Sequence, residues 1–394
     1  MKLFQKLLLA PAALGLFAPV VANANESNFR DVTNYTQDTV EVSIDTFKPL
    51  SSKNPLLAGG EGANSNQSNN DFDVDTFSAT TIAEFTSNFA LATIDGENNV
   101  EQELALVYDF EATFSSSFTG NDSLDVVLNA GATNGLFPEL DLTNQGSDLQ
   151  VDTVTYTNAL SDRVTGFFSS GNGASGSNLY NTACVYGGVA DTFSDCGVSA
   201  ANVDMGFGTA AGMSFAFDNG LAVALAYEGQ GMASGEVGLL SDNGRDAGGV
   251  QVSYYGDSYG VSVSFANIDN AATGQTQSTG LNAFISPDLG SFPSVSVGFE
   301  TNHDNSVTGT NNDETSHYFL GLQWDEVGDG TLGAAIGSKE PTAENEAESL
   351  TMYEVFYTYN YADGITLTPF YYSKDNAGTT ESETGIGVKT TFSF

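Results

Sequence analysis

A few short stretches of this sequence carry residue types that could do chemistry. "GDSYG" at Gly256 to Gly260 has the spacing of a turn that exposes a nucleophilic serine. That turn joins a strand to a helix, whereas alternating residues flank this one on both sides, so a glycine-rich hairpin explains it better. "DFDVD" sets Asp71, Asp73 and Asp75 at calcium-loop spacing, but the glycine and distal glutamate of such a loop are missing. It reads as a solvated approach to the first strand. The chain has 2 cysteines, Cys184 and Cys196, and 2 histidines, His303 and His317. No C-x-x-C occurs and the histidines fall elsewhere, so a thiol metal site has little support. In an oxidising compartment the pair in "CVYGGVADTFSDC" most simply forms one disulfide, which removes ~3 kcal/mol of chain entropy from a flexible loop. With no triad and no metal constellation, the sequence predicts a protein that is not an enzyme and uses neither metal nor cofactor.

The elements that hold these residues are set by composition and period. With 10 basic and 50 acidic residues the formal charge is −40. Nucleic acid is excluded as a partner, because neutralising phosphates takes Lys and Arg. The 27 Phe and 16 Tyr supply enough apolar surface to exclude disorder, and 43 Gly with 9 Pro suggest many strands joined by turns. "MKLFQKLLLAPAALGLFAPVVANA" has Lys2 and Lys6 before an apolar run and a small-residue cleavage pattern, so residues 1–24 read as a secretory signal peptide. Residues 25–75 are polar and turn-rich and read as a periplasmic lead or short plug, and 76–394 as a barrel domain. After the signal no apolar run reaches the length of about 18 residues that a spanning helix needs, which leaves a closed β-barrel as the way to cross a membrane.

The period of two supports that class. Strand candidates fall near 77–93, 103–118, 122–132, 149–159, 163–170, 205–218, 221–229, 248–256, 259–268, 278–286, 293–302, 316–325, 330–338, 350–361, 364–374 and 383–394. Val261, Val263 and Phe265 alternate with Ser262, Ser264 and Ala266, as strands with unlike faces do. Long connections such as "NGLFPELDLTNQGSD" strictly take turns with short ones such as "DNG" and "ADG". That is the asymmetry of an outer-membrane barrel, with long external loops and short periplasmic turns. The fold class is therefore all-β, a transmembrane antiparallel β-barrel of 16 strands. The closing "ETGIGVKTTFSF" must pair with the first strand to abolish the sheet edges, with Ile386, Val388, Phe392 and Phe394 toward lipid.

Five stretches then carry a family resemblance. The start quoted above, "SSSFTGNDSLDVVLNAGAT", "LQVDTVTYTNALSDRVTGFFSS", "YEVFYTYNYADGITLTPFYYSK" and "GIGVKTTFSF" resemble the major outer-membrane porins of cyanobacteria, a group similar to the carbohydrate-selective OprB-type porins. The resemblance implies a sixteen-stranded barrel, often a homotrimer, that passes small hydrophilic solutes or inorganic ions. It also implies that the third external loop folds inward to narrow the pore, where the Cys184–Cys196 disulfide would stiffen it. Residues 25–75 are too short for the surface-layer-homology domain that such proteins commonly carry. Phe394 stands as the C-terminal signal for the outer-membrane assembly machinery.

If the apolar partners face lipid, the lumen receives Asp109, Glu111, Asp125, Asp152, Glu228, Glu300 and Glu354, against Lys389 and Arg163. Such a ring of carboxylates concentrates cations and repels anions. Phe356, Phe370 and Tyr372 are candidates for stacking on sugars in the channel, with interface girdle residues as the other reading. The functional expectation is passive diffusion through an acidic lumen that prefers cations; the alternative is a non-conducting structural or adhesive barrel.

Overall fold

A computed structural model of the chain describes residues 81–96, 102–133, 137–143, 146–231, 237–271, 274–287, 292–306, 314–339, 350–375 and 382–394. Residues 1–80, which include the expected signal and lead and Asp71, Asp73 and Asp75, lie outside the described residues. The sixteen strands are β1 (Thr81–Asp95), β2 (Gln102–Ser116), β3 (Asp122–Gly131), β4 (Gly146–Ser161), β5 (Val164–Gly171) and β6 (Thr209–Ala216). They continue as β7 (Leu221–Gly229), β8 (Asp246–Tyr255), β9 (Tyr259–Asp269), β10 (Gly274–Ile285) and β11 (Ser294–Ser306). The last five are β12 (Glu314–Val327), β13 (Gly330–Lys339), β14 (Leu350–Ala362), β15 (Ile365–Asp375) and β16 (Ser382–Ser393).

Every neighbouring pair in sequence is antiparallel, and β16 returns to β1 to close the barrel. The pairing runs from Thr86 opposite Ser393 to Asp95 opposite Thr384. Beyond the ladder, Phe85 and Phe394 exchange backbone hydrogen bonds of 2.9 and 3.0 Å, and their rings stack at 5.5 Å. Closure leaves no edge strand, which is the only way a sheet can satisfy its backbone inside lipid.

The alternation read from the sequence is the inside-outside alternation of the wall. On β9, Val261, Val263 and Phe265 are exposed on the outside while Ser262, Ser264 and Ala266 are buried on the inside. The same outward face carries Leu106, Leu225, Leu281, Phe299 and Val355, all exposed. An apolar band of that extent is tolerated where lipid covers it. No helix among the described residues is long and apolar enough to cross a membrane.

Two of the short turns follow from single glycines. "Asn219-Gly220" and "Asp363-Gly364" sit at hairpin tips where Gly220 and Gly364 adopt φ of 84° and 72°, which side chains with a Cβ resist. "GDSYG" is likewise a hairpin, with Ser258 between β8 and β9, and no helix follows it.

The expected alternation of loop lengths fails at one place. β10 starts at Gly274 rather than near 278, because Gln275, Thr276 and Gln277 pair with both β9 and β11. Most of "DNAATGQTQ" is therefore strand, and the connection 270–273 is shorter than 286–293 at the other end of the barrel. β6 also starts later than expected, at Thr209, because Asp204 to Gly208 belong to the preceding loop.

Placing a cation on the outer face tests the lipid-facing assignment. Val263→Arg, in the middle of β9, is expected to destabilise the folded barrel by about 2–4 kcal/mol in lipid-vesicle unfolding titrations. An unchanged midpoint would show that this face does not meet lipid.

Candidate functional site

The space inside the wall is organised by the connection 172–208, which leaves at Gly171, turns inward and returns at Thr209; it is named L3. Its sequence interleaves small polar residues with apolar ones that need cover, and the wall supplies the cover. Phe207 and Val203 pack with Ala226, Ala247, Ala266 and Ile268 on β7 to β9. Tyr186, Val189, Ala190 and Phe193 pack with Phe319, Ala335, Met352 and Phe356 on β12 to β14. Each fully buried large side chain contributes about 1.5–3 kcal/mol to holding the loop inside. The wall makes room at glycines: a Cβ on Gly298 would collide with the carbonyl oxygen of Cys196, and one on Gly321 would meet the Tyr186 ring at 2.7 Å.

A loop pressed against a wall must still satisfy its backbone N–H groups, and inward side chains do this strand after strand. Glu228 on β7 accepts from the N–H groups of Gly176 (3.3 Å), Met205 (3.1 Å) and Phe207 (2.5 Å). Gln251 on β8 accepts from Asn181 at 2.6 Å, Ser262 on β9 from Ala183 at 3.0 Å, and Ser296 on β11 from Val185 at 3.1 Å. Glu300 on β11 accepts from Ala201 at 2.8 Å, and Gln323 on β12 from Gly187 at 2.8 Å. Glu354 on β14 takes the Val189 and Ala190 N–H groups at 3.0 and 2.6 Å and the Tyr186 hydroxyl at 2.8 Å. Hydrogen bonds to ionised acceptors are the strong ones, about 1.5–3 kcal/mol each.

Cys184 and Cys196 form a disulfide with Cα atoms 6.0 Å apart, within this loop. It closes the stretch that carries Tyr186, Val189 and Phe193, so the part of L3 that packs against β12 to β14 is also the part tied to itself.

A second loop reaches the same core. Phe137 and Leu140, flanking and within the short turn Pro138–Leu140, pack in the cluster that holds Ala90, Ala92 and Ile94 of β1 with Tyr186 and Phe193 of L3. Between them Glu139 is 3% exposed and accepts from Lys374 Nζ at 2.6 Å and from the Thr192 hydroxyl at 2.8 Å. Lys374 lies 3.7 Å from Glu383 as well. One buried glutamate thus joins the second loop, L3 and the wall. Glu139 and Lys374 were not among the residues singled out from the sequence; nothing in "LFPEL" distinguishes a buried carboxylate from a solvated one.

The residues expected in the lumen fall into separate groups. Glu228, Glu300 and Glu354 point inward as expected but lie beneath L3, 0%, 3% and 2% exposed, holding its backbone. Asp109 on β2 is buried too, accepting from Asn88 Nδ2 at 2.9 Å and from the Thr143 N–H of the second loop at 3.3 Å. Glu111 is exposed on the inner face, and Asp125 and Asp152 are partly exposed on β3 and β4. Lys389 on β16 faces Asp109 and Asp141. Arg163 lies at a short turn in an exposed ion pair with Asp218, away from the others. Phe356, Phe370 and Tyr372 point inward but are 2–5% exposed, with Phe356 against Tyr186 at 5.7 Å and the Tyr372 hydroxyl bonded to Glu383 at 3.1 Å. Their faces are covered by the core, which corrects the expectation of an open platform for sugars: the period fixes direction, and only the loop decides exposure. His303 and His317 lie on β11 and β12, and no cluster of His, Cys, Asp or Glu suited to a metal occurs among the described residues.

Solved structures share this architecture. The anion-selective porin of Comamonas acidovorans matches with a TM-score of 0.59 at 12% identity, over 80% of this chain and 99% of that one. The fold is that of the porins. OmpT of Vibrio cholerae with its loop L8 deleted matches with a TM-score of 0.56 at 10% identity, over 80% of this chain and 100% of that one. OprB of Pseudomonas putida matches with a TM-score of 0.55 at 8% identity, over 80% of this chain and 94% of that one. The sequence matches no protein-family model and no curated protein.

Within this porin fold one loop carboxyl has an altered affinity for protons. Burial, with repulsion from Asp204 and Glu300, pushes Asp195 in L3 up to about 6, against an ordinary value of 3.8. When L3 is unseated the group ionises near the ordinary value, so the seated loop binds more protons between the two. Seating is therefore strongest at the acid end and weakens as pH rises from about 4 to about 6. Cleavage of L3 by a protease, measured relative to an Asp195→Asn protein at each pH, is expected to rise across that interval and then level off. A flat ratio from pH 4 to 7 would contradict the assignment.

Proposed function

We propose that this chain is an outer-membrane porin through which small hydrophilic solutes and inorganic ions diffuse passively, with a preference for cations. The observation that carries the reading is the inward L3, bonded along its backbone to the wall and presenting Asn172, Asn178, Asn181, Asp191, Ser194, Ser199 and Asp204 as its exposed side chains. A loop held in a closed barrel with its apolar side to the wall and its polar side to the centre narrows a water path without sealing it by an apolar face. The charge of −40 supports cation preference. The Comamonas neighbour is an anion-selective porin, and the same fold accommodates either sign because the field is set by side chains.

Sugars pass, in this account, by size and polarity alone, since the inward aromatics are covered. Export by the N-terminal signal, recognition of Phe394 by the assembly machinery and association as a homotrimer through the apolar outer face complete the proposal. The stretches that resemble cyanobacterial porins agree with it.

A plugged structural or adhesive barrel is the second reading, favoured by one observation. The second loop and L3 share a single apolar cluster that occupies part of the lumen. The two are separated by reconstituting the refolded mature chain in planar bilayers and in liposomes. Discrete conductance steps, with swelling rates that fall from glucose to larger oligosaccharides, are the expected result. Silence in both assays from protein shown to be folded would favour the plug.

A further inference from the structure

The connection between β7 and β8 crosses the rim of the barrel at the end from which L3 leaves. Its base faces inward, where Arg245 lies over the Phe207 ring of L3 at 4.4 Å and donates to Asn270 at 3.2 Å. Its tip, Leu239 and Leu240, lies on the other side of the wall.

Register places the tip. Leu225 on β7 is exposed on the outward face, so Tyr227 and Gly229, two and four residues on, face outward too, with Asp246 of β8 paired to Gly229. A Cβ on Gly229 would collide with the Tyr227 hydroxyl and the Asp246 carboxylate, which puts all three on one face. Leu240 donates its N–H to that hydroxyl at 3.2 Å and to that carboxylate at 3.3 Å. Leu239 follows: a Cβ on Gly231 would meet its Cδ2 at 3.0 Å and the Thr209 hydroxyl at 2.6 Å, and Thr209 pairs with Gly229. The two leucines therefore sit outside β6 to β8, next to Tyr227 and above the exposed apolar pair Met213 and Leu225.

Three properties identify lipid as what covers them. Leu240 is 81% exposed and Leu239 47%, and both continue the lipid-facing band of the wall, as a membrane contact does. The turn is also prepared for an apolar medium, in which an N–H without a partner is costly. The wall takes the Leu240 N–H, the Ser241 hydroxyl takes that of Gly238 at 3.2 Å, and the Ser241 carbonyl takes that of Gly244 at 3.0 Å. Leu240 adopts φ of 57°, which a side chain with a Cβ resists, and the bonds to its N–H hold it there. Lastly, the surroundings have the polarity of a membrane interface. Tyr227 supplies a ring with a polar tip, and the exposed Asp242 and Asn243 return the chain to water.

We propose that Leu239 and Leu240 form a wedge that enters the acyl boundary of the membrane leaflet at this end of the barrel. The wedge fastens the connection to lipid on the outside while Arg245 fastens it to L3 on the inside. Its partner is a lipid surface, met through apolar contact rather than through a headgroup. The proposal goes beyond the porin reading and does not depend on whether the barrel conducts.

The test is fluorescence quenching in vesicles of phosphatidylcholine brominated on its acyl chains. Trp324, the single tryptophan of the chain, is replaced by Phe, and Leu240→Trp supplies the probe, with folding checked by heat-dependent gel migration. Its emission is expected to be blue-shifted and to lose as large a fraction to the bromines as that of Leu225→Trp, while Asp242→Trp loses little. Should Leu240→Trp fail to fold, Leu239→Trp must be quenched in the same way. Emission at the wavelength of a solvated tryptophan, without quenching, would overturn the proposal. Blue-shifted emission without quenching would overturn it as well and give the cover to a second copy of this chain.

Discussion

Everything inside this barrel depends on how the backbone of a long loop is satisfied against a wall. A closed sheet of sixteen strands has no spare backbone donors or acceptors on its inner face, so the loop cannot join it as another strand. It can stay inside only if side chains on the wall take its N–H groups. Glu228, Glu300 and Glu354 do this with carboxyl oxygens, and Gln251, Ser262, Ser296 and Gln323 do it with amide and hydroxyl ones. The apolar side chains of L3 then have a place to pack, and its polar ones are left to line the water path.

This division explains why the inward face reads as small and polar on β8 to β11 and as apolar or aromatic on β12 to β15. Ser262, Ser264, Gly280, Asn282 and Gly298 let the loop backbone approach closely. Phe319, Met352, Phe356, Phe370 and Tyr372 instead receive its aromatic stretch. The wall is built for the loop as much as for the lumen.

The barrel was legible in the sequence because a period of two and turn chemistry are local properties. Val261 to Ala266 and "Asp363-Gly364" announce a two-faced strand and a hairpin without reference to anything distant. Even the closure could be reasoned out, since a strand ending in "TTFSF" needs a partner and β1 provides it. The site was legible only in part. Alternation sent Glu228, Glu300, Glu354, Phe356, Phe370 and Tyr372 to the inner face, but it carries no information about a loop that covers them from far along the chain. Glu228 meets Phe207 within 21 positions, whereas Glu354 meets Ala190 across 164. The buried Glu139–Lys374 pair spans 235 positions and could not be found by spacing at all.

The central claim is that L3 is fixed to the wall through its own backbone. Amide hydrogen exchange of the folded protein in detergent tests it directly, by following the N–H groups of Ala190, Ala201 and Phe207. The account predicts protection comparable to that of amides in β9 and β10. Exchange as fast as that of a solvated loop at these positions would contradict it.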